Sequence, residues 1–380
     1  MEKLELLEES KRCLKCKNHP CQDSCPIGTR IPEIIDMFQK EEYLEAGKIL
    51  FENNPMSLVC SLICPFEKQC MGSCIRGIKG NPVNFPAIEN FIMEKYLRET
   101  IFKNIESNGK RIAIVGGGPG GLSGAFYLRR KGYDITIYDD HEKMGGMLRY
   151  GIPSFRLNKD KVDLLEEKIY ESGIKFQGNK VFTEESLRKL KDAGNYDAVL
   201  VTTGAWLPKE IELEGIEREN VYYGIDYLKN NVNLGKNKKV VVIGAGNVAM
   251  DVARTAKRQG NDVLIAYRKK IERAPATKVE INETIKDGVN FLTEVTPVKI
   301  TKDGIVLENN NEKNQFLYEC NNVIIAVSQK AQFNVESLEG YFYGGDLVTG
   351  PETIVKASFT GRESAKLLDN YLKIYENKKI

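Results

Sequence analysis

The feature that most constrains the fold of this chain is a strand–glycine loop–helix unit that occurs twice, at Arg111 and at Lys239. In each unit a short β-branched run, RIAIV or KVVVI, leads into a glycine-rich turn and then into small residues. Strands that alternate with helices in this way are typical of parallel, doubly wound sheets. The sequence therefore predicts an α/β protein with two doubly wound dinucleotide-binding domains.

The first glycine loop has the spacing G-x-G-x-x-G, formed by Gly116, Gly118 and Gly121, with Pro119 inside it. Glycines permit the tight turn and let backbone amides at the helix N-terminus approach a pyrophosphate. The next strand ends at Asp139, about twenty residues on, where an acid accepts hydrogen bonds from ribose hydroxyls. Strand, loop, helix and acid together predict a dinucleotide site.

The second glycine loop repeats this context with alanine in the third position. Its residues are Gly244, Gly246, Asn247 and Ala249. We expect a second dinucleotide there, bound through the same kind of backbone amides.

A basic turn follows the second fold, because its next strand ends in Arg268 and Lys269, with Arg273 close behind. Cationic side chains at this position accommodate a 2′-phosphate, which favours NADPH over NADH. The plainer alternative is a solvated basic turn that binds nothing.

Two nucleotide folds indicate two cofactors that exchange a hydride, and a flavin accepts two electrons yet releases them singly. That transfer needs no acid–base residue, which suits a chain whose histidines are His19 and His141 alone. The sequence therefore identifies no catalytic side chain.

Cysteines cluster near the start of the chain, where eight of the nine fall in the first fifth and only Cys320 lies beyond. They form the blocks C-x2-C-x4-C-x3-C and C-x3-C-x5-C-x3-C: Cys13, Cys16, Cys21 and Cys25, then Cys60, Cys64, Cys70 and Cys74. Closely spaced thiolates of this kind suit iron–sulfur clusters with four ligands each. Two tetrahedral zinc sites are the alternative.

Composition excludes several classes of function. The chain has 380 residues, is 42% hydrophobic and 28% charged, and carries a net charge of only +2. This charge gives nucleic acid and acidic membranes no general attraction. No apolar stretch approaches the length of a membrane helix, and the polar opening lacks a signal-peptide core. We expect a cytoplasmic protein with neither a nucleic acid nor a membrane partner.

Several motifs occur in a fixed order: both cysteine blocks, RIAIVGGGPGGLS, KMGGMLRYGIPSFRLNK, VIGAGNVAMDVART, YRKKIERAP and GGDLVTGPETIV. Over essentially its whole length the chain resembles the small (beta) subunit of bacterial glutamate synthase and the N-terminal half of dihydropyrimidine dehydrogenase. It is also similar to the large subunit of NADH-dependent ferredoxin:NADP oxidoreductase.

The resemblance implies three domains. Residues 1–107 would be a helical domain with two 4Fe-4S clusters, in keeping with helical apolar spacing over 31–54 and after Pro86. Residues 108–207 and 332–380 would bind FAD, and residues 208–331 would bind NADPH.

Further site residues follow from the resemblance. Gly146 and Arg156, from the run at 143–159, would contact FAD, as would Gly345, Asp346 and Thr353 near the end of the chain. Asp346 matches the aspartate that contacts the ribityl chain of the flavin. On the second fold, Arg268 and Arg273 match the pair that binds the 2′-phosphate.

The resemblance also implies that the cluster ligands are interleaved. One cluster would be held by Cys13, Cys16, Cys21 and Cys74. The other would be held by Cys25, Cys64 and Cys70 with Glu89 as its fourth ligand, which leaves Cys60 spare. The alternative for Glu89 is a carboxylate stabilised by the dipole of a helix N-terminus.

The function expected is that of an electron-input subunit, which passes electrons from NADPH through FAD and two clusters to a catalytic partner subunit or ferredoxin-like acceptor in a hetero-oligomer. The partner would be a glutamate synthase large chain or a pyrimidine-reducing subunit. A disulfide reductase-like flavoenzyme is one alternative, although it needs a cysteine pair beyond the N-terminal blocks. A non-catalytic redox sensor or scaffold is the other.

Overall fold

The computed structural model describes residues 2–102, 105–335 and 337–377. The chain divides into two compact units, the first made of Met1–Arg149, Ser154–Ala205 and Ala331–Ile380, and the second of Tyr150–Pro153 and Trp206–Lys330. Each unit contains a five-stranded parallel sheet. The predicted fold class is confirmed.

The first unit begins with a helical segment. Its α-helices are α1 (Lys3–Lys11), α2 (Pro20–Asp23), α3 (Ile31–Gln39), α4 (Tyr43–Asn53), α5 (Ser57–Ile63) and α6 (Phe85–Glu99). Pro32 and Pro86 lie in the first turns of α3 and α6, where a missing N–H costs no helical hydrogen bond. Asn84 caps α6 by accepting the Ala87 N–H at 3.3 Å.

The helical periodicity over 31–54 corresponds to two helices rather than one. Glu41, between α3 and α4, has a left-handed φ of 61°, which an α-helix does not continue through. Both helices still bury their apolar faces, as Ile34, Phe38 and Leu50 illustrate. The apolar periodicity therefore predicted correctly which helix faces are buried, but it did not predict the turn at Glu41.

The first nucleotide-binding fold follows in the same unit. Its elements are β1 (Arg111–Val115), α7 (Pro119–Arg129), β2 (Asp134–Tyr138), α8 (Lys159–Glu171), β3 (Lys175–Gln177), α9 (Glu184–Ala193) and β4 (Ala198–Val201). β1 pairs in parallel with β2 on one side and with β4 on the other. The carboxyl end of β1 therefore opens between its two neighbours into the loop that precedes α7.

The second unit contains the second nucleotide-binding fold. Its elements are β5 (Leu207–Pro208), β6 (Val221–Tyr223), α10 (Gly224–Lys229), β7 (Lys239–Ile243), α11 (Asn247–Arg258), β8 (Asp262–Tyr267), α12 (Lys278–Lys286), β9 (Asn290–Thr293), β10 (Val295–Ile300), β11 (Gly304–Asn309), β12 (Gln315–Glu319), β13 (Asn322–Ile325) and β14 (Gln329–Lys330). The parallel sheet has the order β6-β13-β7-β8-β9, and β10, β11 and β12 form a separate antiparallel sheet.

The C-terminal segment returns to the first fold through β15 (Tyr341–Tyr343), α13 (Asp346–Thr349) and α14 (Ile354–Asn377). β15 pairs in parallel with β4, with Tyr341 opposite Val199. The first sheet, in the order β15-β4-β1-β2-β3, is thus completed by residues that follow the second unit in the chain.

Helices α7 and α14 approach each other at their backbones. A Cβ atom added at Gly361 would lie 2.1 Å from the Gly120 carbonyl oxygen, and one at Gly124 would lie 3.4 Å from the Gly361 oxygen. Only glycine permits contact this close, so these positions set the distance between the two helices.

Within the described ranges, no helix combines the length and the apolar character that a membrane crossing requires.

We expect Gly361→Ala to destabilise the first unit, although alanine is the better helix former by about 1 kcal/mol. The added methyl overlaps the Gly120 carbonyl, and overpacking of this kind costs about 1–3 kcal/mol. The melting temperature of the purified holoprotein should fall by several degrees. Gly80→Ala is the control, because its Cβ meets only the Arg76 oxygen at 3.9 Å. Equal melting temperatures for the two variants would contradict this account.

Candidate cofactor and cluster sites

The first glycine loop forms a cradle that side chains would fill. Gly116 has a φ of 107°, and a Cβ there would lie 2.4 Å from the Thr202 oxygen. A Cβ at Gly121 would lie 1.9 Å from the Gly116 oxygen. Gly118 is the N-cap of α7 and supplies no side-chain cap, so the first amides of the helix face the loop without a side-chain acceptor. This geometry fits a pyrophosphate, and Pro119 occupies the first helical turn.

Asp139 lies directly beside this cradle. Its Oδ2 accepts the Gly117 N–H at 2.6 Å, and its Oδ1 accepts the backbone N–H of His141 at 2.8 Å. The Nδ1 atom of His141 lies 2.9 Å from the same oxygen. A carboxylate has about four lone-pair sites, two on each oxygen, so Oδ2 retains capacity for one ribose hydroxyl.

His141 is a partner of Asp139 that the sequence analysis missed. Burial lowers the pKa of its imidazole, but hydrogen bonds to Asp139 and Asp140 outweigh that and raise it to about 9. At neutral pH the imidazolium therefore donates to the Oδ1 atom of Asp139 and adds a positive charge beside the cradle. The sequence signal that could have predicted this pairing is a histidine two residues after Asp139, the acidic residue that follows β2.

The Gly345–Asp346 turn lies against the first loop. A Cβ at Gly120 would lie 3.3 Å from the Gly345 Cα. Gly345 has a φ of 67° and donates its N–H to the Thr360 hydroxyl at 3.0 Å. Thr353, at the start of α14, accepts the Lys356 N–H through its backbone oxygen at 3.0 Å.

Two buried side-chain oxygens that follow strands of the first sheet have no hydrogen-bond partner among the described residues. They are the Oδ1 atom of Asp346 and the Oγ1 atom of Thr203. Burial raises the pKa of Asp346 to about 7. Buried polar atoms without partners cost about 1–3 kcal/mol each. These oxygens, together with the open cradle, fit a dinucleotide such as FAD with hydroxyl groups to donate.

Gly146 and Arg156 lie on the segment after β2. Gly146 has a φ of 51°, and a Cβ there would lie 2.8 Å from the Gly118 Cα, so this turn packs on the first loop. Arg156 is half-buried in the turn that precedes α8.

The second glycine loop has the same backbone form. Gly244 has a φ of 123°, and a Cβ there would lie 2.3 Å from the Ala326 oxygen. Gly246 is the N-cap of α11 and faces open space. Asn247 accepts the Thr277 N–H at 3.1 Å, and Ala249 is fully buried.

The basic turn after β8 carries three exposed cations, Arg268, Lys269 and Arg273. In the part of the chain that the structure describes, none of them has a carboxylate oxygen within 4.0 Å. The backbone is fixed, since Asn310 donates to the Arg268 oxygen and Tyr267 donates to the Arg273 oxygen, both at 2.8 Å. Unpaired cations on a fixed turn fit an anionic group such as a 2′-phosphate.

One group of thiols, the first cysteine group, consists of Cys13, Cys16, Cys21 and Cys74, which line one cavity together with Cys70. Burial is the largest cause that raises the pKa of Cys21 to about 11, and the nearby Cys74 and Cys13 contribute to the same rise. The fourth member comes from the second block, and the Val83 N–H points at its sulfur at 3.5 Å. Closely spaced thiols around a cavity are the kind of donor that an iron–sulfur cluster takes.

The second cysteine group consists of Cys25, Cys64 and Cys70 with Glu89. A hydrogen bond to Cys60 is the largest cause that raises the pKa of Cys64, followed by burial and the nearby Glu89 and Cys70. Burial raises the pKa of Cys70, as do Glu89, Cys25 and, from the first cysteine group, Cys21. The structure therefore brings one cysteine of the first block together with two of the second.

Glu89 is buried on α6 and accepts the Ser57 hydroxyl. Burial raises the pKa of its carboxyl to about 7, although the Ser57 hydrogen bond lowers it. A helix-dipole effect would lower the pKa, so burial dominates at this position.

Cys60 belongs to a buried polar chain that the sequence did not reveal. Asn54 donates to the Cys60 sulfur at 3.3 Å and accepts the Ser358 hydroxyl at 2.7 Å. The Ser358 and Ser123 hydroxyls are 2.6 Å apart, and all four residues are buried. Because Ser358 donates its one hydroxyl proton to Asn54, Ser123 donates to Ser358. These hydrogen-bonded side chains join helices α7 and α14 to Cys60, which lies beside Cys64 of the second cysteine group.

Two family models match the chain. The model of dihydropyrimidine dehydrogenase domain II, 4Fe-4S cluster, matches residues 1–101. The model of pyridine nucleotide-disulphide oxidoreductases matches residues 110–359.

Relatives match most of the chain. It is 31% identical over 392 residues to an NAD-dependent dihydropyrimidine dehydrogenase subunit PreT homolog from Salmonella typhi, with 96% of this chain and 94% of the relative covered. It is 31% identical over 315 residues to the glutamate synthase (NADPH) small chain of Escherichia coli, with 78% and 66% covered.

Solved structures share the fold. FprA from Mycobacterium tuberculosis in complex with NADPH has a TM-score of 0.60 at 16% identity, over 71% of this chain and 86% of that chain. Thioredoxin reductase from T. acidophilum has a TM-score of 0.54 at 18% identity, over 70% and 100%.

Gly121→Ala should abolish flavin retention, because its methyl would lie 1.9 Å from the Gly116 oxygen and force the cradle open. The measurement is flavin absorbance released from the purified variant, expressed per chain. Ala249→Gly, at the corresponding position of the second loop, is the matched control and should retain its flavin. Full flavin content in Gly121→Ala would show that the first loop does not hold this cofactor.

If each cysteine group holds one 4Fe-4S cluster with four ligands, Cys74→Ser should lower bound iron from about eight to about four atoms per chain. Cys60→Ser should keep about eight, because Cys60 stands beside the second cysteine group without belonging to it. Iron and sulfide analysis of anaerobically prepared protein measures both. Loss of four irons in Cys60→Ser would make Cys60 a ligand.

Proposed function

Because the chain belongs to the pyridine nucleotide-disulphide oxidoreductase family, in the group of glutamate synthase small chains and PreT subunits, we propose that it is an electron-input subunit. It takes electrons from NADPH and passes them, through FAD and two 4Fe-4S clusters, to a catalytic partner subunit or ferredoxin-like acceptor. Membership makes the chain an NAD(P)H-dependent flavin and iron–sulfur oxidoreductase.

The observation that carries the proposal is that the first loop and both cysteine groups belong to one compact unit. The polar chain from Ser123 to Cys60 lies between them. A bound flavin accepts two electrons and releases them singly. The residues of this unit hold and orient the carriers, and they supply no acid–base group.

The pairing of cofactors with folds follows from the charges around each loop. Asp139 suits ribose hydroxyls at the first loop, which supports FAD there. The unpaired Arg268, Lys269 and Arg273 support NADPH at the second loop. Relatives differ here, since the PreT subunits are named NAD-dependent and the glutamate synthase small chains NADPH-dependent. On the same grounds we propose three domains: residues 1–107 for the clusters, residues 108–207 with 332–380 for FAD, and residues 208–331 for NADPH.

The match of residues 1–101 to the 4Fe-4S cluster domain of dihydropyrimidine dehydrogenase supports clusters over zinc. We propose the two ligand sets described above, with Glu89 completing the second.

The alternatives find less support. A disulfide reductase uses a cysteine pair beside its nucleotide sites, whereas Cys320 is the one cysteine beyond residue 74 and is buried. A sensor or scaffold would bind nicotinamide without turnover.

The names of the relatives as subunits favour a hetero-oligomer with a catalytic partner. Free thiols suit the reducing cytoplasm, where we propose that the chain acts.

NADPH should bleach the flavin and cluster absorbance of the anaerobic holoprotein, and NADH should do so with a higher KM. Replacing Arg268 and Arg273 by alanine removes charge-assisted bonds worth about 1.5–3 kcal/mol each. The KM for NADPH should therefore rise about tenfold or more, with that for NADH unchanged.

The control is Arg258→Ala, on the same unit but paired with Asp287, which should leave both values unchanged. Holoprotein that neither nucleotide bleaches would refute the proposed function. Equal rises for NADPH and NADH would refute the 2′-phosphate role.

A further inference from the structure

The surface beside the first cysteine group exposes three large aliphatic side chains. Leu14 is 53% exposed, Ile75 is 42% exposed and Ile78 is 73% exposed. Ile75 and Ile78 begin and end one 3-10 helix, in which side chains three residues apart eclipse one another and share a face. Leu14 and Ile75 also line the cavity of the first cysteine group. The three side chains thus form one apolar surface over that group.

Acidic residues are scarce near this surface, and Glu9, whose carboxylate interacts with Arg76, is paired with Arg12 and mostly buried. The ranges 10–22 and 68–88 contain no Asp or Glu, in a chain that has 53 of them. Lys17, Arg76 and Lys79 are exposed, and none of the three has an ion-pair partner within 4.0 Å in the described part of the chain. Arg76 lies within the 3-10 helix and Lys79 directly follows it, so both cations lie next to the apolar pair.

We propose that this docking surface, made of Leu14, Ile75 and Ile78 with Lys17, Arg76 and Lys79, binds the electron-accepting partner, a protein with an acidic rim around an apolar patch. The proposal rests on the proposed function and names where its partner binds. Large exposed aliphatic patches rimmed by charge mark interaction sites. A predominantly cationic rim attracts and orients an acidic partner, while the apolar centre supplies affinity.

A competing explanation is that the cations only balance the negative charge of the thiolates. Such a role would act on the reduction potential of the cluster rather than on a partner. The two explanations therefore differ in what a charge reversal changes, the KM for a protein acceptor or the reduction of the clusters by NADPH.

The experiment uses anaerobic holoprotein with NADPH and two protein acceptors, an acidic plant-type 2Fe-2S ferredoxin and the basic cytochrome c. We expect the KM for ferredoxin to rise steeply with salt, because exposed charges are screened. The triple variant K17E/R76E/K79E should raise that KM about tenfold or more and lower the KM for cytochrome c. Its own clusters should be bleached by NADPH at the unaltered rate.

The matched control is K236E/K238E/K302E, which makes the same change of net charge on exposed lysines of the second unit. It should leave the ferredoxin KM unchanged. A second variant, I75S/I78S, keeps every charge and should raise the ferredoxin KM without removing its salt dependence.

Several results would overturn the docking proposal: an unaltered ferredoxin KM in both surface variants, an equal effect of the control, or an effect confined to the cluster potential. Holoprotein that NADPH bleaches but that does not reduce ferredoxin would also overturn it. Gel filtration that shows I75S/I78S converting a dimer to a monomer would assign the surface to a second copy of this chain. Failure of NADPH to bleach the unsubstituted protein would instead count against the proposed function.

Discussion

The close approach of α7 and α14 is the constraint on which the rest of the first unit depends. Gly120 and Gly361 bring the two backbones together, and this contact places the Gly345–Asp346 turn against the first loop. It also sets Ser358 beside Ser123, so that Asn54 and the helical segment are joined to the same two helices. A change in the distance between α7 and α14 would therefore displace residues of both the dinucleotide cradle and the second cysteine group.

The cysteine groups add a constraint of their own, because each draws cysteines from both blocks of the sequence. Cys74 joins three cysteines that precede it by more than fifty residues, and Cys25 joins Cys64 and Cys70. Metal binding across such loops is coupled to folding, since the ligand set does not exist in an extended chain. The helices α3 to α6 and the proposed clusters are therefore expected to form as one cooperative structure.

The sequence predicted the nucleotide folds well, because a strand, a glycine loop and a helix are adjacent in the chain and report their structure locally. The cysteine spacing predicted metal binding, but it did not sort the ligands. That grouping came from the family resemblance. Contacts between distant residues left no trace in any pattern, as the Asn54–Ser358 hydrogen bond shows. The turn at Glu41 was missed because apolar spacing records which face is buried and not the backbone angle of an exposed residue.

The position of β15 has a consequence for how this protein is made on the ribosome. The second unit is complete by residue 330, whereas the first sheet lacks an edge strand until residues 341–343 have been synthesised. Since domains fold as the nascent chain emerges, the later segment of the chain matures before the earlier one. The first glycine loop thus closes after the second unit has formed, which allows the proposed carriers to be loaded into a polypeptide whose second unit is already stable.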